Sequence, residues 1–267
     1  MDTRNTKSLE LISRRPKKAG HATPLLFVHG AFAGAWCWDE HFLSFFADQG
    51  YAAHALSLRG HGKSWGHDNI DWWSIGDYVE DLAAIVAELD RPPVLIGHSM
   101  GGFVVQKYLE QAAAPAAVLM ASVPPQGLLG ASMQLAFSRP DLLGDLNRLL
   151  GGSQVSAYVL EQALFAQGVA PATLQRYYGY MQRESQRAIW DMTMFNLPQL
   201  QRMHRPPLLV LGAQFDTLVP EAQVLATGQA YGQAAEIFPG MGHGLMLEKD
   251  WGKVARRILA WLTSQGL

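Results

Sequence analysis

Short apolar runs separated by polar and glycine-rich stretches recur along the first half of the chain. They predict strands that alternate with helices. Leu25-Leu26-Phe27-Val28, Tyr51 to Leu58, Val94-Leu95-Ile96 and Ala117 to Val123 are such runs. The continuous apolarity of Leu25 to Val28 fits a strand covered on both faces. Leu9 to Ile12 supplies a candidate edge strand. Between the runs the period becomes helical. Ile75, Tyr78, Val79, Leu82, Ile85, Val86 and Leu89 draw one apolar face. Ser74 and Asp77 stand where a capping box starts a helix, and Pro92-Pro93 ends it. Trp38 to Gln49 reads as a single helix with Gly50 placed to cap it. Phe103 to Ala113 and Glu248 to Thr263 read as two more.

Strands alternating with helices predict an α/β fold: a mostly parallel central sheet with helices on both faces. The rhythm stops between Pro124 and His204, where helical signals continue without a convincing strand, and resumes at Leu208 to Leu211 and Ala235 to Phe238. The expected organisation is therefore a core made of residues 1–123 and 205–267, with residues 124–204 inserted as a helical cap.

With 267 residues, 49% of them hydrophobic, the chain can bury a large core. A net charge of −2 without long like-charge blocks gives a nucleic-acid partner no electrostatic support. The basic cluster Arg14-Arg15-Pro16-Lys17-Lys18 reads as a solvated loop. The single cysteine, Cys37, excludes an internal disulfide framework and a Cys-based zinc cluster. It reads as a packing residue. No paired histidines or carboxylate cluster suggest a metal, so neither a metal nor a cofactor is expected. No run approaches a membrane span and no apolar leader opens the chain. A cytoplasmic protein is the expectation, and the oligomeric state is left open.

The chemistry concentrates at Gly97-His98-Ser99-Met100-Gly101, a G-x-S-x-G pattern. A serine lifted clear of a sheet must sit in a sharp turn with positive φ, and flanking glycines remove the Cβ atoms that would collide there. The pattern alone is weak, because Gly62-Lys63-Ser64-Trp65-Gly66 also fits it. Context separates them. Ser99 follows an apolar strand directly and leads into a helix, whereas Ser64 trails its strand and reads as a turn residue. A serine nucleophile needs a base, and the base needs an orienting acid. Asp216 and His243 follow the next two strands, at the carboxyl ends where ligands bind in such sheets. His29 and His98 are the competing histidines. Both flank glycines and are expected to orient loops, while His61 reads as a loop residue. An oxyanion needs preorganised donors, and the Met100 backbone N–H, at a helix start, suits one.

Four motifs together, His29-Gly30, the segment from Gly97 to Gly102, the Asp216 loop and Gly242-His243, resemble the α/β-hydrolase fold superfamily from about Leu25 to the C-terminus. The resemblance implies a Ser99–His243–Asp216 triad and places the second oxyanion donor at the Ala31 N–H. Members with an aspartate nucleophile, the haloalkane dehalogenases and epoxide hydrolases, are set aside by Ser99. The run from His29 to Trp38 is similar to the plant methylesterase and hydroxynitrile lyase branch. Gly30 and Gly244 stand where those lyases carry Thr and Lys, which argues against cyanohydrin cleavage. Arg59-Gly60-His61-Gly62 follows a bacterial hydrolase pattern instead, with Ser57 where an Asp is usual.

Met and aromatic side chains in the insertion suggest an apolar pocket, with Phe32, His98, Phe137, Trp190 and Phe195 as candidate substrate contacts. The reading is a carboxylic ester hydrolase that acts on a small to medium, mainly apolar ester through an acyl-enzyme. Hydrolysis of a C–C bond or a thioester by the same triad remains open. So does a reading of a different class, a ligand-binding receptor on a retained hydrolase fold.

Overall fold

The computed structural model describes residues 8–18 and 20–267. Among the described residues seven strands form one sheet, in the order β1-β3-β2-β4-β5-β6-β7. They are β1 (Glu10–Arg14), β2 (Leu25–Val28), β3 (Ala53–Ser57), β4 (Val94–His98), β5 (Ala117–Met120), β6 (Leu208–Ala213) and β7 (Ala235–Phe238). The edge strand β1 runs antiparallel to β3, and the other pairings among these seven strands are parallel.

Alternation along each strand divides the core in two. Leu25, Phe27, Ala53, Ala55, Val94 and Ile96 pack on one face, against α1 (Trp36–Asp39), α2 (Phe42–Asp48) and α11 (Trp251–Ser264). Leu26, Val28, Leu56, Leu95, Ala117 and Leu119 pack on the other, against α3 (Ile75–Glu88) and α4 (Met100–Tyr108). Both faces of the central strands are thus covered, as continuous apolar runs require.

The capping box forms as the sequence predicts. Ser74 Oγ accepts the Asp77 N–H at 3.1 Å, and the Asp77 carboxylate accepts the Ser74 N–H at 2.8 Å. Gly50 takes a φ of 95°, where glycine is favoured. Other boundaries differ. The helix expected over Trp38 to Gln49 is two helices, broken at His41. Tertiary contacts account for the break: Glu40 binds Arg176 at 2.6 Å, and His41 stacks on Trp251 with ring centroids 4.6 Å apart. The strand expected to reach Val123 ends at Met120, because Ala121 turns to a φ of 43°. The final helix begins at Trp251 rather than Glu248, whose buried carboxylate holds backbone N–H groups elsewhere.

Between β5 and β6 lie α5 (Leu129–Ser138), α6 (Pro140–Leu150), α7 (Ala157–Leu164), α8 (Pro171–Tyr180), α9 (Gln186–Trp190) and a π-helical turn at Asp191–Phe195, with no strand. After β6 comes α10 (Glu221–Tyr231). Among the described residues no helix is long and apolar enough to cross a membrane. Arg14 pairs with Asp39 at 2.8 Å, and Arg15, Lys17 and Lys18 beside it are exposed.

Candidate active site

Strand register decides which loops meet. Val28 aligns with Gly97, so the loop after β2 and the turn after β4 leave the sheet side by side. Ala213 aligns with Phe238, which likewise brings together the loops carrying Asp216 and His243. All four segments emerge at the carboxyl edge of the parallel strands.

Ser99 is the single residue between β4 and α4, with a φ of 52° and a ψ of −117°. That backbone is disfavoured for a residue with a Cβ, and close packing holds it. A Cβ on Gly97 would run into the Gly101 carbonyl; one on Gly101 would strike the carbonyls of Val28 and His29; one on Gly102 would strike Ser122. The glycines let the turn lie directly against β2.

His243 Nδ1 lies 2.7 Å from Asp216 Oδ2, and both side chains are buried. The other carboxylate oxygen accepts the N–H groups of Leu218 at 2.9 Å and Val219 at 2.8 Å. A carboxylate facing Nδ1 fixes the proton there, which leaves Nε2 as the acceptor. Ser99 and His243 line the same cavity, together with Ala31, Phe32, His98 and Met100.

The neighbouring histidines are held by hydrogen bonds. His98 Nε2 donates to the His243 carbonyl at 2.9 Å. Burial, then the neighbouring His243, keeps His98 well below the usual histidine range. His29 Nε2 accepts the Leu58 N–H at 3.1 Å, so Nδ1 must be the nitrogen that donates to the Gly30 carbonyl at 2.8 Å. Burial, then the His61 charge, holds His29 down to about 3, so it is neutral. Cys37 is buried, and burial pushes its thiol up and keeps it protonated. Ser64 Oγ is occupied within its turn: it donates to the Ser57 carbonyl and accepts the Glu10 N–H at 2.8 Å.

Residues 25–257 match the alpha/beta hydrolase family. The chain belongs to this family. This α/β-hydrolase is 28% identical to a non-heme haloperoxidase of Rhodococcus erythropolis over 261 residues, covering 86% of this chain and 88% of that protein. It is 36% identical to the bifunctional esterase/perhydrolase of Acinetobacter calcoaceticus over 113 residues, covering 39% and 38% of the two chains. An esterase from Exiguobacterium antarcticum superposes with a TM-score of 0.71 at 17% identity, covering 96% of this chain and 95% of that one, and shares its fold.

Not every candidate contact reaches the pocket of this α/β-hydrolase. Phe32 and His98 line it, but Phe137, Trp190 and Phe195 do not. Phe137 is 85% exposed on α5, whose opposite face turns Ala131, Ser132 and Leu135 to the cavity. Trp190 and Phe195 pack on each other outside, with centroids 6.2 Å apart, while Ile189 and Met192 point inward. The walls contributed by the insertion are mainly aliphatic: Leu135, Leu143, Leu146, Leu150, Val159 and Leu164. Helical spacing alone does not say which face of an inserted helix looks inward.

Two buried glutamates also escaped sequence reasoning. Glu248 Oε1 accepts the N–H groups of Gly242 and Ala166, each at 2.7 Å, tying the His243 loop to the insertion. Glu184, in the insertion, accepts the Phe32 N–H at 3.2 Å. Neither stands in a recognisable motif.

Proposed function

We propose that this chain is a serine carboxylesterase, with Ser99 as nucleophile, His243 as general base and acid, and Asp216 as the orienting acid. The ester carbonyl is attacked by Ser99 Oγ while His243 Nε2 takes its proton. The N–H groups of Ala31 and Met100 receive the oxyanion. His243 then returns the proton to the leaving alcohol, and water, activated by the same nitrogen, hydrolyses the acyl-enzyme. The observation that carries this reading is the Asp216–His243 hydrogen bond of 2.7 Å at the wall of a cavity that Ser99 also lines.

The cavity supports the substrate class. Among the described residues its lining contains no Asp, Glu, Lys or Arg and is mostly apolar, which favours a neutral substrate. Its volume of about 220 Å³ lies below the common range for drug-sized ligands, roughly 300–1,000 Å³, which suits a small to medium neutral ester. Residues 124–204 act in this reading as the cap over a core of residues 1–123 and 205–267. The names of the relatives above, an esterase/perhydrolase and a haloperoxidase, are compatible with acyl transfer from Ser99.

A fluorophosphonate probe and a p-nitrophenyl acyl-ester series test the assignment. Labelling should map to Ser99, and the esters should turn over. Ser99→Ala or His243→Ala should lower kcat by on the order of 10⁶-fold, and Asp216→Ala by on the order of 10⁴-fold. Turnover retained in Ser99→Ala overturns the triad. Absence of both labelling and turnover favours a binding protein. Labelling with sluggish hydrolysis across the whole series favours a C–C hydrolase.

A further inference from the structure

Glu184 comes from the inserted segment, yet its side chain has no solvent exposure. All four of its partners are donors. Oε1 accepts from the Tyr78 hydroxyl at 2.8 Å and the Ser185 N–H at 2.7 Å; Oε2 accepts from His61 Nε2 at 3.0 Å and the Phe32 N–H at 3.2 Å. His61 places its other nitrogen 3.1 Å from the Arg59 carbonyl, so both ring nitrogens face acceptors. Burial alone would push His61 down, but the charge and hydrogen bond of Glu184 outweigh it and hold it up. Burial alone would raise Glu184, but the His61 charge together with the hydrogen bonds from His61, Ser185 and Tyr78 outweighs it and holds the carboxyl down. The two form a buried ion pair.

Phe32 is where this network meets the site. Its φ of 63° is a conformation that side-chain-bearing residues rarely adopt unless neighbours enforce it. Its N–H is held by Glu184, and its carbonyl accepts the Gln182 N–H at 3.1 Å. The Gln182 side chain in turn binds the Gly60 carbonyl at 2.7 Å and the Gly62 N–H at 2.9 Å. On the other side of Ala31, His29 holds the Gly30 carbonyl. A trans peptide is planar, so fixing the Gly30 carbonyl points the Ala31 N–H in the opposite direction. Ala31 therefore sits between two peptide groups that are each pinned by a buried side chain.

We propose that Glu184 is a positioning residue for the oxyanion hole. It holds the Phe32 N–H directly and fixes His61, whose ring packs on His29 with centroids 5.0 Å apart, and so keeps the Gly30-Ala31-Phe32 loop in the conformation that aims the Ala31 N–H at the reacting carbonyl oxygen. This rests on the serine-hydrolase reading above. Glu184 touches no substrate itself, and it makes the inserted segment a support of the chemistry as well as a wall of the pocket.

Glu184→Gln tests this. An amide turned either way sets its NH₂ against one N–H that cannot accept, that of Ser185 or that of Phe32, so at least one of these bonds is lost together with the charge that holds His61 up. The readouts are kcat per fluorophosphonate-titrated Ser99, KM, and the inhibition constant of a trifluoromethyl ketone, whose hemiketal oxyanion occupies the hole. Losing one oxyanion donor lowers kcat by about 10²–10³-fold, so misdirecting one should lower kcat per titrated site by about 10–100-fold. KM should stay within about threefold, and the ketone should bind weaker by a factor similar to that in kcat. A merely structural role would reduce the fraction of titratable protein and leave kcat per site and ketone affinity at wild-type values, which overturns the proposal. If Glu184→Gln does not fold, Glu184→Asp is read the same way; it keeps the charge beside His61 but falls short of Phe32. Wild-type protein that neither labels nor turns over esters overturns the serine-hydrolase reading itself, and this inference with it.

Discussion

His29, hydrogen-bonded through both ring nitrogens, and His98, hydrogen-bonded through Nε2, are buried near Ser99 as neutral rings, and this has a cost in acid. Burial and the His61 charge hold His29 down to about 3, and burial with His243 beside it lowers His98 further than burial of a lone ring would. In the unfolded chain both return to near 6.5. Between those values the unfolded state binds protons that the folded state does not, so stability rises with pH there and falls on acidification. His29 alone removes about 2 kcal/mol between pH 6.5 and 5, at about 1.36 kcal/mol per pH unit. His61, held up by Glu184, acts in the opposite sense: its contribution is complete below 6.5 and fades as pH rises through its folded value. Thermal midpoints measured from pH 7.5 to 5 should therefore fall, and a midpoint that stays level or climbs contradicts the neutral state of His29. The residues that do this were only partly legible. Histidines flanking glycines after strands announce themselves by position, whereas Glu184 and Glu248 bind backbone N–H groups 152 and 82 positions away and carry no local pattern.

At the scale of elements, the unit that was most legible is also the tightest. An apolar strand, a glycine-flanked serine and a helix can be read directly because each glycine answers a steric demand. At Gly101 that demand comes from backbone: an added Cβ would strike the carbonyls of Val28, at the end of β2, and of His29 just after it. The Val28 carbonyl, at the end of a central parallel strand, cannot move aside without disturbing the sheet. Gly101→Ala should therefore destabilise the fold by about 1–3 kcal/mol or more. Gly179 on α8 has open space where its Cβ would stand, and Gly179→Ala should stabilise by about 0.5–1 kcal/mol. Urea midpoints of the two variants should move in opposite directions, and an unchanged midpoint for Gly101→Ala would refute the close approach of α4 to β2. Capping chemistry at Ser74 was equally readable. The break at His41 was not, because Trp251 and Arg176, which hold that corner, are remote in sequence.

In the whole molecule, the sheet and the insertion divide the work. Loops at the carboxyl edge of the sheet carry Ser99, Asp216 and His243, while α5, α6 and α7 supply most of the aliphatic wall. The two parts are stitched by buried polar bonds: Glu184 to Phe32, Glu248 to Ala166, Asp191 to the Ile75 N–H at 3.1 Å, and the Gly244 N–H to the Leu164 carbonyl at 2.7 Å. Alternating apolar runs made the sheet readable and, by their absence from 124 to 204, pointed to the helices that lie between β5 and β6. They left the pocket unread, because its lining depends on how five short helices turn, and the conspicuous aromatics Phe137, Trp190 and Phe195 face outward. A wall of leucines should grade substrates by chain length. Each methylene moved from water to an apolar site contributes about 0.8 kcal/mol, so kcat/KM should rise up to about fourfold per added carbon until the chain meets the far wall. Leu146 on α6 lines the cavity at partial exposure. Leu146→Trp should bring that limit to a shorter chain, lowering kcat/KM for an octanoyl ester by more than about tenfold while leaving the acetyl ester within about twofold. A chain-length profile parallel to that of the wild type would mean that the acyl chain does not run along α6.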